Sequence, residues 1–206
     1  MAEYSILNVV ALILGPAVIA AAVTGATNLW LKNREDTRTR LVAALLLAAH
    51  LEDYTYACAT FTFMSHEKRR SLKEKARIPL LNAWPAEVSW GSLPAIPASQ
   101  AAGLRMEVTI AIGIMDATST EGELSVWQGR RLRCELGLQA WQAARALRRE
   151  VGLPLIRPET LRWNIIEYLW VEYGKAVREL RTRGMWNSQE EPLIFPDLGY
   201  SAAVTS

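Results

Sequence analysis

The chain has 206 residues, with 23 Lys and Arg against 21 Asp and Glu, for a net charge of +2. A charge so close to balance gives no footprint for nucleic acid, and the two cysteines, Cys58 and Cys134, are too few for a disulfide framework. The charge is unevenly distributed, however: residues 4–31 hold none, and Lys32, Arg34, Arg38 and Arg40 follow at once.

The uncharged run SILNVVALILGPAVIAAAVTGATNLWL is long enough, as a helix rising ~1.5 Å per residue, to cross the ~30 Å hydrocarbon layer of a bilayer. Pro16 removes one backbone hydrogen bond, which transmembrane helices tolerate. A cleaved secretory signal fits poorly, because the leader MAEYS carries Glu3 and no Lys or Arg, and the basic cluster comes after the run. Residues 1–34 are therefore read as a transmembrane anchor. Trp30, Lys32 and Arg34 form its membrane-interface flank, where an indole prefers the headgroup layer and cations favour the cytoplasmic side. The topology expected is an N-terminus outside and everything after Lys32 inside. Ala17, Ala21 and Gly25 stand four apart, a small-residue stripe that lets two helices approach closely. It makes a homo-oligomer through helix–helix contact one expectation.

About 170 residues follow the anchor, enough for one domain with its own core. With Glu3 set aside, residues 4–206 carry 23 basic and 20 acidic residues, a net of +3, Lys32 and Arg34 of the flank included. Four helices can be read from apolar spacing. The first spans about residues 36–66, with Leu41, Leu45, Ala48 or Ala49, Leu51 and Tyr56 near one face. No Gly or Pro separates it from the anchor, so the two are candidates for one continuous helix. Next comes a basic stretch, then NAWPAEVSWGSLPAIPAS, whose prolines deny both helix and central strand. Its Trp, Val and Leu side chains predict a strap laid over helices.

The second helix is read over about residues 99–117 (Leu104, Val108, Ala111 or Ile112, and Met115), after which Glu121 and Glu123 suit a helix start. The third covers about residues 124–151, with Leu132, Leu136, Ala140, Ala143, Leu147 and Val151 as its apolar seam. Arg130, Arg131, Arg133, Arg145, Arg148 and Arg149 lie on other faces, read as solvated, and Gly152 and Pro154 end the helix. Pro158 opens the fourth, whose side Leu161, Ile165, Leu169, Tyr173, Val177 and Leu180 stops at Gly184. The fold class expected is all-α: the anchor helix, a cytoplasmic four-helix bundle over residues 35–188 with the Pro- and Trp-containing strap, and a loosely ordered tail at 189–206.

Chemistry is sparse. His50, Glu52, Asp53 and His66 are the one group of metal-ligand types close in sequence, but His50 and Glu52 point roughly 200° apart on a helix, and no Glu-x-x-His motif occurs. No nucleophile turn or glycine-rich phosphate loop is present. Glu107, Asp116, Glu135, Glu167 and Glu172 are carboxylates that only folding could pair. No catalytic residue, metal or cofactor is assigned. Residues 68–77 hold six basic side chains, Lys68, Arg69, Arg70, Lys73, Lys75 and Arg77, against Glu74. Beside a membrane, Lys68, Arg69, Arg70 and Lys73 are candidates for anionic headgroups at ~1 kcal/mol per charge; a long first helix would instead carry them into water. Trp127, Trp141, Trp163, Tyr168 and Trp170 are read as fillers between helices.

The order of an anchor, a LEDYTYACA helix at residues 51–59 and a WPAEVSW strap at residues 84–90 resembles that of single-pass membrane proteins encoded in proteobacterial genomes and their prophages. The resemblance supports a bacterial origin and brings no activity, cofactor or catalytic residue; with the anchor and its basic flank, the location expected is a bacterial inner membrane. The function expected is that of a membrane-tethered scaffold, adaptor or assembly subunit acting through an unknown protein partner. A membrane-anchored enzyme with an unrecognised site and an anionic-lipid-binding domain are the alternatives.

Overall fold

The computed structural model describes residues 6–67, 69–118, 122–156 and 164–185, with the backbone alone for residues 6–20, 22 and 23. Among these residues five helices carry the fold: α1 (Ile6–Met64), α2 (Leu72–Ala76), α3 (Ala95–Ala117), α4 (Glu123–Glu150) and α5 (Ile165–Thr182), with a 3-10 turn at Trp90–Ser92. There is no strand among the described residues, and the all-α class holds.

Helix α1 is unbroken over 59 residues, ~90 Å at 1.5 Å per residue. Among the described residues no helix is long and apolar enough to cross a membrane. Most of the run expected to do so, Ala17 included, falls on residues whose side chains lie outside the described residues. Within the bundle, Ala43, Ala44, Leu47, Ala48, Leu51, Tyr54, Thr55, Cys58, Ala59 and Thr62 are buried, one stripe at three- and four-residue steps. Of the face expected from sequence, Ala48 and Leu51 are buried and Leu41 is half-buried, but Leu45 and Tyr56 are exposed, as are Val42 and Phe63. The reason is that α1 is apolar around most of its circumference, so periodicity alone does not say which side meets the core.

Helix α4 is the hub, packed against α1, α2, α3 and α5. Thr55 Oγ1 donates to the Gly137 carbonyl at 3.0 Å, and Arg148 of α4 reaches Glu52 of α1. Residue numbers thus rise along α1 as they fall along α4, so the two are antiparallel. Helix α5 returns alongside, with Glu172 meeting both Arg130 and His66. The seam read on α4 is buried at Leu132, Leu136, Ala140, Ala143 and Leu147, with Trp141 among the largest fully buried side chains. Both α4 and α5 end in the same way. Leu153 N–H bonds Arg148 O and Gly152 N–H bonds Arg149 O; Met185 and Gly184 repeat this on Leu180 and Arg181. Gly152 and Gly184 take the positive φ that this cap needs.

The strap runs back along α1. Tyr54 Oη donates to the Pro79 carbonyl, His50 lies 3.3 Å from the Asn82 carbonyl and edge-on to Trp84, and the turn at 89–92 reaches residues 33–40. Ile78, Leu81, Val88 and Leu93 bury themselves from it, as a strap should. Two short helical pieces were not read from sequence: the 3-10 turn within the strap and, in the basic stretch before it, α2, held by a capping box between Ser71 and Glu74. Helix α3 starts at Ala95 rather than near residue 99, because Pro97 falls in the first turn, where no N–H is needed. Helix α5 is described from Ile165, capped by Asn164. Pro158, Leu161 and Trp163, together with Lys68, Glu121 and the tail from 189, lie outside the described residues.

Candidate functional site

The polar chemistry of the domain is concentrated where arginines of α4 enter the interior. An Arg side chain stays charged and carries five donors, so its burial is costly unless acceptors converge on it. The sequence reading put these arginines on solvated faces; Arg130, Arg133 and Arg148 are in fact buried. Spacing could not reveal this, since each sits beside the apolar seam and its acceptors come from other segments.

Arg133 is fully buried. Its Nη1 donates to the carbonyls of Lys75 at 2.8 Å and Arg77 at 2.7 Å, and its Nε to Thr62 Oγ1 at 3.4 Å. Burial depresses its pKa to about 10, leaving it protonated at neutral pH. The carbonyls it takes are those left over at the end of α2, a helix of five residues that cannot persist unaided. Gly129 completes the clamp, because a Cβ there would run into the backbone of Ala76.

One turn earlier on α4, Arg130 Nη1 donates to Glu172 Oε2 at 3.3 Å and its Nη2 to Ser65 Oγ at 3.4 Å, with its guanidinium carbon 4.6 Å from the centroid of the Trp127 ring. Glu172 also takes Lys175 Nζ at 2.7 Å on Oε1, and His66 Nε2 lies 3.1 Å from Oε2. Burial alone would raise the Glu172 pKa. The hydrogen bond from Lys175 and the charges of Arg130, Lys175 and His66 outweigh it and hold the carboxyl below its usual value. With both oxygens engaged, Glu172 is built to keep a charge rather than to accept a proton. Towards the other end of α4, Arg148 grips Glu52 with two bonds of 2.7 and 2.9 Å and also donates to the Pro154 carbonyl.

The cysteines lie within this interior. Both thiols are pushed up to about 12, first by burial, and Cys134 Sγ is 3.9 Å from Thr62 Oγ1. They are protonated, enclosed groups, the opposite of an activated nucleophile.

The four metal-type residues separate. His50 faces the strap, Glu52 serves Arg148, Asp53 is exposed and His66 serves Glu172. Among the described residues no group of three or more His, Cys, Asp or Glu side chains could hold a metal ion. The carboxylates do not converge either: Glu135 pairs with Arg131, Glu167 accepts from Asn164 Nδ2 in the first turn of α5, and Glu107 and Asp116 line two different grooves. Trp30, Lys32 and Arg34 are exposed, with Arg34 over the Trp30 ring at 5.5 Å. Ala21 and Gly25 are exposed as well. Arg69 and Lys73 are exposed, and Arg70 pairs with Glu67. These last residues follow the end of α1, ~50 Å along the helix from Lys32.

Open grooves mark the surface of the described residues. One of about 200 Å³ lies between α3 and α4 at Gln100, Glu107, Gln139 and Gln142. Another of about 380 Å³ lies between α2 and the end of α3 at Lys73, Arg77, Ile112 and Asp116. A third, of about 550 Å³, is polar, with Asn33, Asp36, Thr37 and Arg40 on α1 facing Ser89 and Ser92 in the strap. None is lined by the buried arginines or by Glu172. Neither a family model, nor a curated protein, nor a solved structure matches this chain.

Proposed function

We propose that this chain is a membrane-tethered adaptor or assembly subunit, anchored by residues 1–34 in a bacterial inner membrane with its helical domain in the cytoplasm, and acting through protein contacts. The observation that carries the contact reading is the outer face of α1. Val42, Leu45, Tyr56 and Phe63 stand exposed along it, opposite the core stripe. A helix apolar on both faces is the mark of one that is covered on both. Met106, Ile110 and Ile114 repeat the pattern on α3. The anchor reading is supported by the uncharged run, the basic residues after it and the absence of any break between run and bundle. A rigid tether of this kind raises the effective concentration of the domain for a neighbour in the same membrane. The neighbour is either a second copy, with Ala17, Ala21 and Gly25 against their equivalents, or another protein.

The test is crosslinking of the full-length chain in its native membrane, followed by purification and mass spectrometry. A stoichiometric partner is expected that disappears when everything after Arg34 is deleted and when Tyr56→Glu and Phe63→Glu are introduced together. Recovery of no partner, or of one indifferent to those two changes, overturns the contact reading.

A further inference from the structure

We infer that the end of the bundle formed by the strap turn at residues 89–92 rests on the lipid headgroup layer, with the polar cleft between that turn and α1 as its headgroup-binding floor. The inference rests on the anchor reading above and follows from helix geometry. Lys32 is the first charge after the apolar run and marks the edge of the hydrocarbon. A headgroup layer is ~5–8 Å deep on each side of a ~30 Å core. Because α1 has no break, Thr37 stands only ~8 Å beyond Lys32 along its axis, and Arg40 ~12 Å. The cleft at Asn33, Asp36, Thr37, Thr39 and Arg40 is closed on its other side by Ser89, Gly91 and Ser92, so the strap turn shares that depth.

Its composition suits such a place. The cleft offers hydroxyls, an amide, the Arg40 guanidinium and the Asp36 carboxylate, donors and acceptors that a polyol-bearing phosphate headgroup satisfies. Asp36 and Arg40 balance each other in the lining, but over the whole stretch of α1 at that depth Lys32, Arg34, Arg38 and Arg40 outnumber Glu35 and Asp36, which favours anionic lipid. Trp90 is exposed beside the cleft, and Ile96 and Leu155 are exposed near the same end of the bundle, where Arg40 Nη2 donates to the Glu150 carbonyl. Trp90 and Trp30 would both meet the interface where indoles concentrate. The basic residues 69–73, by contrast, sit at the far end of α1 in bulk water.

The experiment uses the full chain in vesicles of phosphatidylethanolamine with a minority of phosphatidylglycerol, carrying one nitroxide at a time through Gly25→Cys, Gly91→Cys or Lys73→Cys. A side chain at Gly25 or Gly91 meets nothing within 4 Å, and the native thiols are buried and silent. Accessibility to a water-soluble nickel chelate and to oxygen reads depth. The expected result is a label at 25 in hydrocarbon, one at 73 in water, and one at 91 with nickel accessibility several-fold below that at 73. A label at 91 as accessible as that at 73, with 25 still in lipid, overturns this inference and leaves the anchor intact. A label at 25 open to nickel overturns the anchor reading itself, and the inference with it.

Discussion

Replacing Glu172 tests whether the buried network on α4 is an electrostatic unit. The Glu172 and Arg130 side chains are 3 % and 7 % exposed, whereas Lys175 and His66 are 49 % and 48 % exposed. The two half-exposed contacts are worth ~0–1 kcal/mol each. The cost of Glu172→Ala therefore lies with Arg130, left in the interior without its counter-charge, and should be ~3–5 kcal/mol, a large share of the ~5–15 kcal/mol that holds a domain folded. Urea denaturation followed by far-ultraviolet circular dichroism measures it. Lys175→Ala should cost at most ~1 kcal/mol. The double variant Arg130→Met with Glu172→Leu should recover most of the loss, since it removes both desolvation costs together. Acid adds an independent check. The Glu172 carboxyl is held below its ordinary 4.5, so its contribution is complete above about pH 5 and is lost as pH falls through the folded value. Glu172→Gln should lower stability at neutral pH and flatten that acid limb. A Glu172→Ala variant within ~1 kcal/mol of the parent, or a double variant no better than the single, would refute the reasoning.

The other expectations concern packing. Gly129→Ala adds a methyl group against the Ala76 backbone and should destabilise by ~1–3 kcal/mol, whereas Gly113→Ala on the open face of α3 should gain up to ~1 kcal/mol from helix propensity; equal signs in thermal unfolding would contradict the close approach of α2 to α4. Arg133→Met leaves two carbonyls of the α2 end without their donor and should cost ~2–4 kcal/mol. Trypsin should then cut faster after Lys73, Lys75 and Arg77 in and beside α2, and an unchanged cleavage rate would dissolve the clamp. Cys58 and Cys134 should resist iodoacetamide in the folded chain and react in urea; alkylation at a free-thiol rate under native conditions would show that the α1–α4 interface opens.

Much of the architecture was written locally. The α4 seam from Leu132 to Leu147, the stops at Gly152 and Gly184 and the proline-driven strap all follow from spacing, positive φ or a missing N–H, properties a residue carries wherever the chain goes. Helix α2 was legible in principle, since Ser71 and Glu74 make a capping box, but its cap was lost among neighbouring basic residues. The outward face of α1 was not legible, because Val42, Leu45, Tyr56 and Phe63 are as apolar as the side that meets α4, and only packing chose between them. The burial of Arg130, Arg133 and Arg148 was likewise beyond the sequence: their acceptors, Glu172, the carbonyls at 75 and 77, and Glu52, lie tens of residues away. The uncharged run and the basic flank are one-dimensional facts about charge, and they carry the anchor reading by themselves. Where the strap turn at 89–92 sits relative to residues 33–40 is a three-dimensional fact, decided by an unbroken helix and by a strap that returns along it from Tyr54.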